Sequence, residues 1–513
     1  MIVTIKSGAM FGVSMVPVDV EVDVSRGLPG FDLVGFASSE LKEAKERVRV
    51  ALNNSELPIP IAKITVNLSP ASLPKSGTAY DLPIAVGILS ASGFFESRNT
   101  DEFFMAGEVG LDGNLKGVSG ILPMVSQAKR KGITKFLIPY DNKDEASYVK
   151  DVEIIALKDL RDVFIYLSSS PAKRAELLEE YERDAFTAKD APEEPIPDFS
   201  DICGQDAAKR AAEVAAAGFH NMLMVGPPGA GKTMIAKRIP GILPPLSSDE
   251  ALDISSIYSV AGLLKEGKGI IKSRPFNAPH HSMSDQALIG GGRIPKPGIV
   301  SLSHKSVLFL DELTEFRRST LDLLRQPLED KVVTISRAYG NYTYPTDFML
   351  VAALNPCPCG YYPDKTRCHC SEADISRYLK KVSGPILDRI DITVEVTRPD
   401  VESLDKKGNE LSQDIRKRVI KAREIQRMRY KERPYSLNGM LLGDDINTFC
   451  PMGDKQKELL RKAFISLNLS VRAYHKIIKL SRTIADLEES EEIKVPHIEE
   501  AISYRTINRK YWN

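Results

Sequence analysis

The sequence predicts a multidomain α/β protein, and three observations carry that expectation. Its 513 residues suffice for roughly three domains at about 150 residues each. Strand-like and helical runs alternate over most of the chain and give way to helix alone after about residue 397. A glycine-rich turn, GPPGAGKT at 226–233, lies between an apolar strand-like run and a helical one.

Composition narrows the class. Apolar residues make up 42% and charged residues 27%, which excludes wholesale disorder. The 69 basic and 69 acidic side chains cancel, so binding to nucleic acid or membrane has to come from local patches. No apolar run approaches the roughly 20 residues needed to cross a bilayer, and the opening MIVTIKSGAMF lacks the pattern of a signal peptide. A cytoplasmic protein is expected. Its six cysteines, four of them between Cys357 and Cys370, read as reduced thiols with a local purpose.

In chain order, residues 1–168 alternate strand-like runs (Val18 to Val24, Lys63 to Leu68) with helical ones (Ser39 to Asn53, Leu82 to Ser90), an α+β domain. Residues 169–199 are expected to be a linker, because DAPEEPIPD at 190–198 combines three prolines with four acids and no base. From 200 to 396, helical sequence leads into the apolar run Asn221 to Val225, and strands then alternate with helices as a parallel sheet requires. Residues 397–513 form an all-α domain, with Ile415, Val419, Ala422 and Ile425, and again Ile477, Leu480 and Ile484, at helical spacing.

Residues Gly226, Pro227, Pro228, Gly229, Ala230, Gly231, Lys232 and Thr233 match G-x-x-x-x-G-K-[ST] in the strand–turn–helix context that a phosphate loop needs. Glycines there turn backbone N–H groups onto phosphate, Lys232 brings a cation to the outer phosphates, and Thr233 offers its hydroxyl to Mg²⁺. ATP and Mg²⁺ are the expected ligands; the alternative is a glycine turn that binds nothing. The apolar run Val307 to Leu310 ends in Asp311 and Glu312, placed to hold Mg²⁺ through water and to polarise the attacking water, or merely to cap a strand. A third run, Met349 to Ala353, delivers Asn355 to the same edge, where an amide aligns the water or simply begins a turn.

Phosphate loop, acidic pair and polar third strand in this order resemble an AAA+ ATPase. GFHNMLMVGPPGAGKTMIAKRIPGILPPL, PFNAPHHSMSDQALIGGG, SVLFLDELTEF, LDLLRQPLED and NPCPCGYYPD resemble, more narrowly, the bacterial ComM/YifB family of magnesium chelatase-like proteins, related to the magnesium chelatase motor subunit and the MCM helicases. The resemblance makes 200–396 the ATPase core and 397–513 its helical lid. It makes Arg389, in GPILDRIDI, an arginine finger for the neighbouring subunit's nucleotide, with pairing to Asp388 or Asp391 as the alternative. It makes Arg472, in NLSVRAYHKII, the second sensor arginine, or else a structural one. A finger implies a homo-oligomeric ring, and the family implies a hexamer.

KVVTISRAYGNYTYPTDF at 331–348 reads as a hairpin. In MCM-like motors the equivalent hairpin carries a basic residue to the DNA backbone, and Arg337 occupies that position here, unless it pairs with Asp330. The expected partner is single-stranded or branched DNA, contacted without regard to sequence. Residues 262–305 resemble the family's insertion in the second core helix, and His280 and His281, being adjacent, are expected to point differently, which argues against a metal site. Nine basic residues between Arg416 and Arg433 offer phosphate contacts or simply a solvated face.

Cys357, Cys359, Cys368 and Cys370 form C-x-C-x₈-C-x-C directly after Asn355. Two close pairs can surround a tetrahedral Zn²⁺ as a closed structural site, pinning the loop after the third strand; four reduced thiols are the alternative.

Residues 65–140 resemble the proteolytic domain of Lon: PKSGTAYDLPIAVGILS matches its nucleophile segment and AGEVGLDGNLKGVSGILPM its lysine segment. Ala79 stands at the serine's place and Leu122 at the lysine's, so no dyad can operate, and proteolysis is not expected. The alternative is that the nearby Ser76 and Lys75 substitute for the dyad.

The resemblance implies a ring-forming ATPase that moves on DNA, as a helicase or branch-migration motor in recombination or transformation. The alternatives are a chelatase-like motor that remodels a partner protein, and an ATP-dependent scaffold.

Overall fold

A computed structural model describes residues 2–35, 38–96, 99–183, 196–264, 269–338, 340–398 and 410–512. Most of the acidic, proline-rich connector, 190–195, lies outside the described residues.

The first part is built on a seven-stranded mixed sheet. Its elements, in chain order, are β1 (Ile2–Phe11), β2 (Ser14–Ser25), β3 (Gly30–Val34), β4 (Lys63–Ser69), α1 (Asp81–Ala91), β5 (Phe103–Met105), α2 (Ile121–Arg130), β6 (Lys135–Pro139) and β7 (Glu153–Leu157). The strands lie in the order β3-β4-β2-β1-β5-β6-β7. Alternation along β1, β2 and β4 sends Ile5, Val18, Val20, Val22, Val66 and Leu68 into the core, each fully buried. Burial of each such side chain contributes about 1.5–3 kcal/mol. Helix α1 is buried along its whole length. Gly87 permits this close approach, since a Cβ there would stand 2.5 Å from Val22 Cγ2.

The expected linker is in part helix: α3 (Pro171–Arg183) opens on proline at its first position and continues in good helix formers. Arg174 fastens it to the first part by donating to the carbonyls of Tyr166 (2.9 Å) and Leu167 (2.8 Å). The rest of the expected linker, up to residue 195, lies outside the described residues.

The second part carries β8 (Met222–Val225), α4 (Lys232–Ile242), α5 (Ser248–Ala261), β9 (Phe276–Asn277), β10 (Val307–Leu310), β11 (Val332–Arg337), β12 (Gly340–Pro345), β13 (Met349–Leu354) and β14 (Ile392–Glu395). Strands β9-β10-β13-β8-β14 form one all-parallel sheet. Every residue of β8, β10 and β13 is buried, as expected for a parallel sheet covered on both faces. The two-residue edge strand β9 is too short to leave a sequence pattern. Strands β11 and β12 form the antiparallel hairpin, with Arg337 opposite Gly340 beside its turn.

Among the described residues after β14 there is no strand. The main helices are α6 (Ser412–Arg429), α7 (Val471–Leu487) and α8 (Val495–Trp512). Ile415, Val419 and Ala422 of α6 and Ile477, Leu480 and Ile484 of α7 join one apolar core with the helix Asp206–Gly218.

The two sheet-bearing parts touch. Gly120 N–H donates to Ser259 O across 3.1 Å, and Ser259 Oγ donates to Glu145 Oε2 across 2.6 Å. The ring of Phe11, at the end of β1, stacks on Tyr342 of the hairpin at 5.3 Å. No helix among the described residues is long and apolar enough to cross a membrane.

Candidate active site

Parallel strands deliver their C-terminal ends to one edge of the sheet, and the predicted chemistry gathers there. Gly226 follows β8, Asp311 and Glu312 follow β10, and Asn355 follows β13. Gly229 (φ 75°) and Gly231 (φ 93°) occupy the left-handed region, which turns the loop before α4 begins at Lys232.

Lys232 Nζ donates to the carbonyls of Gly226 (2.6 Å) and Pro227 (3.0 Å) and to Asn355 Oδ1 (3.1 Å). Burial pushes its ammonium down to about 8, against the opposing pull of Asp311 and Glu312. Thr233 Oγ1 donates to Asp311 Oδ2 at 2.7 Å, and Asp311 Oδ1 accepts the Glu312 backbone N–H at 2.9 Å. Glu312 has φ 49°, and its carboxylate lies 3.8 Å from His281 Nδ1.

His281 was missed as a site residue by sequence reasoning. Only the fold carries it from the 262–305 segment to the acidic pair. Gln205, just before the helix Asp206–Gly218, was also missed; its Nε2 donates to Ala230 O of the phosphate loop at 3.2 Å.

The two arginines assigned by resemblance lie elsewhere. Arg389 precedes β14, whose first residue pairs with Met222 at the start of β8. It is therefore separated from the phosphate loop by the length of β8, roughly 13 Å at about 3.3 Å per residue. Its guanidinium donates to Pro385 O (2.6 Å) and pairs with Glu329 at 2.6 Å, not with Asp388 or Asp391. Arg472 lies 3.6 Å from the same Glu329 carboxylate. Asp391 instead pairs with Lys476 at 2.8 Å and is held well below the usual carboxylate range, burial opposing and Lys476 and His220 prevailing. These groups line a cleft of about 1160 Å³ at the strand-start edge, together with Lys479, Arg427 and Arg433.

The remaining sequence candidates separate by partner. Arg337 is exposed and donates to Gly292 O at 3.3 Å; no carboxylate, Asp330 included, lies within ion-pair distance of it among the described residues. The basic run on α6 is largely engaged: Arg423 is buried on Ala216 O, Arg429 pairs with Asp486 at 2.6 Å, and Lys421 with Glu489 at 3.1 Å. Ala79 and Leu122 meet in one apolar cluster. Lys75 is buried with its Nζ donating to the carbonyls of Leu68 (2.9 Å), Gly35 (3.4 Å) and Pro70, so its hydrogen bonds go to backbone carbonyls rather than to Ser76. The sulfurs of Cys357, Cys359, Cys368 and Cys370 all lie within 4.8 Å of one another.

A parallel sheet with a phosphate loop, a hydroxyl–carboxylate pair and a polar third strand at its C-terminal edge defines a P-loop nucleotide-binding protein. Three family models match: "Magnesium chelatase, subunit ChlI" over residues 198–404, "Subunit ChlI of Mg-chelatase" over 20–142, and "Magnesium chelatase, subunit ChlI C-terminal" over 409–505. The chain is 44% identical to the competence protein ComM of Haemophilus influenzae over 508 residues, covering 98% of this chain and 97% of that protein. It is 42% identical to the uncharacterized protein YifB of Escherichia coli over 504 residues, 98% of this chain and 96% of that one. A shorter likeness, 26% over 173 residues and 31% of each chain, links it to Lon protease 2 of Bacillus subtilis. The chain belongs to the ComM/YifB family of magnesium chelatase-like proteins, and it is an ATPase of that AAA+ type.

Proposed function

We propose that this chain is a ring-forming ATPase that couples ATP hydrolysis to movement on DNA, with each catalytic site shared between two protomers. One observation carries the reading: Lys232, Thr233, Asp311, Glu312 and Asn355 converge at one sheet edge, while Arg389 and Arg472 converge at the other. Arginines that far from their own chain's phosphate loop meet a triphosphate only if a second chain presents it. A finger that acts on a neighbour's nucleotide requires a closed ring of protomers, and a hexamer is the ring we infer.

In this reading residues 200–396 are the ATPase core and 397–513 the lid. Loop N–H groups and Lys232 bind the β- and γ-phosphates; with triphosphate present, Lys232 exchanges the loop carbonyls for phosphate oxygens. Thr233 Oγ1 and Asp311 Oδ2, 2.7 Å apart, are the hard oxygen pair that fits Mg²⁺. Held there, Mg²⁺ would supply positive charge against that developing on the phosphates. Glu312 polarises the attacking water and Asn355 aligns it. Arg389 of the neighbouring protomer stabilises the transferring phosphoryl group, with Arg472 beside it.

The DNA assignment rests on the β11–β12 hairpin. Arg337 stands exposed beside its turn with, among the described residues, carbonyl partners alone, available to neutralise a phosphate without reading bases. Phe11 stacked on Tyr342 ties the dyad-less first part to that hairpin, which suits an assembly role better than a proteolytic one. The test is ATP turnover by purified protein with single strands, forks and four-way junctions. Stimulation by DNA and loss in Lys232→Ala support the motor. Turnover that ignores every DNA and responds to a protein partner assigns the chain to the chelatase-like alternative.

A further inference from the structure

We infer that the four thiols after Asn355 hold a zinc ion whose presence sets how tightly the phosphate loop binds nucleotide; the coupling rests on the reading of the Lys232 loop as the ATP site. The donor geometry comes first. Cys357 and Cys359 sulfurs are 3.3 Å apart, Cys357 and Cys368 3.7 Å, and Cys359 and Cys368 3.6 Å. Four thiolates at about 2.3 Å from a tetrahedral Zn²⁺ stand about 3.8 Å from one another, so little movement closes the site. No two are bonded as a disulfide. Cys357 Sγ also accepts the Tyr362 backbone N–H at 3.4 Å, an outer contact of the kind that orients a thiolate ligand. An all-sulfur set selects a soft or borderline ion and leaves no open position for catalytic water.

The same loop forms one wall of the phosphate site. Asn355, which accepts from Lys232, lies two residues before the first cysteine. Gly360, directly after Cys359 and at φ +84°, lies so close to the phosphate loop that a Cβ on it would stand 2.5 Å from Pro228 Cδ. The ring of Tyr361 carries the Arg398 guanidinium at 5.4 Å, and Arg398 Nη2 donates to Pro228 O at 3.3 Å. A metal that ties residues 357–359 to 368–370 therefore fixes Gly360 and Tyr361 against Pro228 and sets where Asn355 meets Lys232. Without it no disulfide among the described residues joins the two cysteine pairs, and the loop loses its wall.

The experiment uses the full chain, purified under reducing conditions without added zinc. Zinc is counted by atomic emission. Affinity for a fluorescent ATP analogue is measured before stripping with a zinc chelator, after stripping, and after zinc is restored, with Mg²⁺ in excess throughout. The expected result is one zinc per chain, affinity weaker by about fivefold or more on stripping, and recovery on restoration. Cys368→Ser with Cys370→Ser should lose the zinc and show the same weakening. Gly360→Ala should keep the zinc and bind the analogue more weakly. If the variants misfold, reversible stripping of the natural chain decides alone. Absence of stoichiometric zinc overturns the metal site. Zinc present but with affinity indifferent to its removal overturns the coupling while sparing the site. Failure of the zinc-loaded chain to bind the analogue overturns the coupling together with the nucleotide reading beneath it.

Discussion

The guanidinium of Arg389 meets the carboxylate of Glu329 at 2.6 Å, and that pairing neutralises within one chain the charge proposed to act on another chain's nucleotide. Arg389 has to leave Glu329 before it can meet phosphate. The pair is partly exposed, so its strength is of the order of 1 kcal/mol or less. Glu329→Gln is therefore expected to raise ATP turnover by at most a few-fold. A large fall in steady-state turnover would instead mean that Glu329 holds Arg389 in its working pose.

Lys232 gives a pH dependence with a definite sign. Burial sets its ammonium at about 8 before nucleotide arrives, and a bound triphosphate requires the charged form. Below pH 8 the proton is already in place. Above it, binding must take one up, and affinity for an ATP analogue should fall by about tenfold per pH unit. Lys232→Arg, whose charge persists, should flatten that slope in the same titration.

In the proposed reading Glu312 acts on water rather than on phosphate. Glu312→Gln should leave analogue affinity nearly unchanged and lower the hydrolysis rate by about 10²–10⁴. A matching loss of affinity would assign the side chain to nucleotide binding instead.

The hairpin assignment can be read from salt dependence. Arg337→Ala should weaken binding to all DNA sequences alike and reduce the slope of log affinity against log salt by about one phosphate's share. Unchanged affinity and slope in fluorescence anisotropy would remove Arg337 from the interface.

The phosphate edge was legible because each part is local. A strand of four buried apolar residues, a glycine turn and a helix start leave their pattern in fewer than twenty residues, and so does VLFL followed by Asp311 and Glu312. What escaped depends on chain folded back from a distance. His281 reaches Glu312, and Arg389 and Arg472 meet on Glu329, through tertiary packing that no spacing encodes. The helix Pro171–Arg183 was hidden by the acidic, proline-rich stretch behind it, although its own residues favour helix and Arg174 anchors it. The density of charge on α6 left phosphate contacts or a solvated face open, and neither reading foresaw that Arg423 and Arg429 are engaged by Ala216 and Asp486 within the helical part.

In the proposed ring, the site begun by Lys232 of one protomer is finished by Arg389 of the next. Mixing two inactive variants tests it most directly. Lys232→Ala lacks the phosphate lysine but keeps the finger, and Arg389→Ala keeps the loop but loses about 10³–10⁵ in rate. Mixed under conditions that allow subunits to exchange, the two should hydrolyse ATP well above the sum of each alone, because some interfaces then pair an intact loop with an intact finger. Turnover no higher than that sum, in mixtures shown to have exchanged subunits, would contradict the shared site.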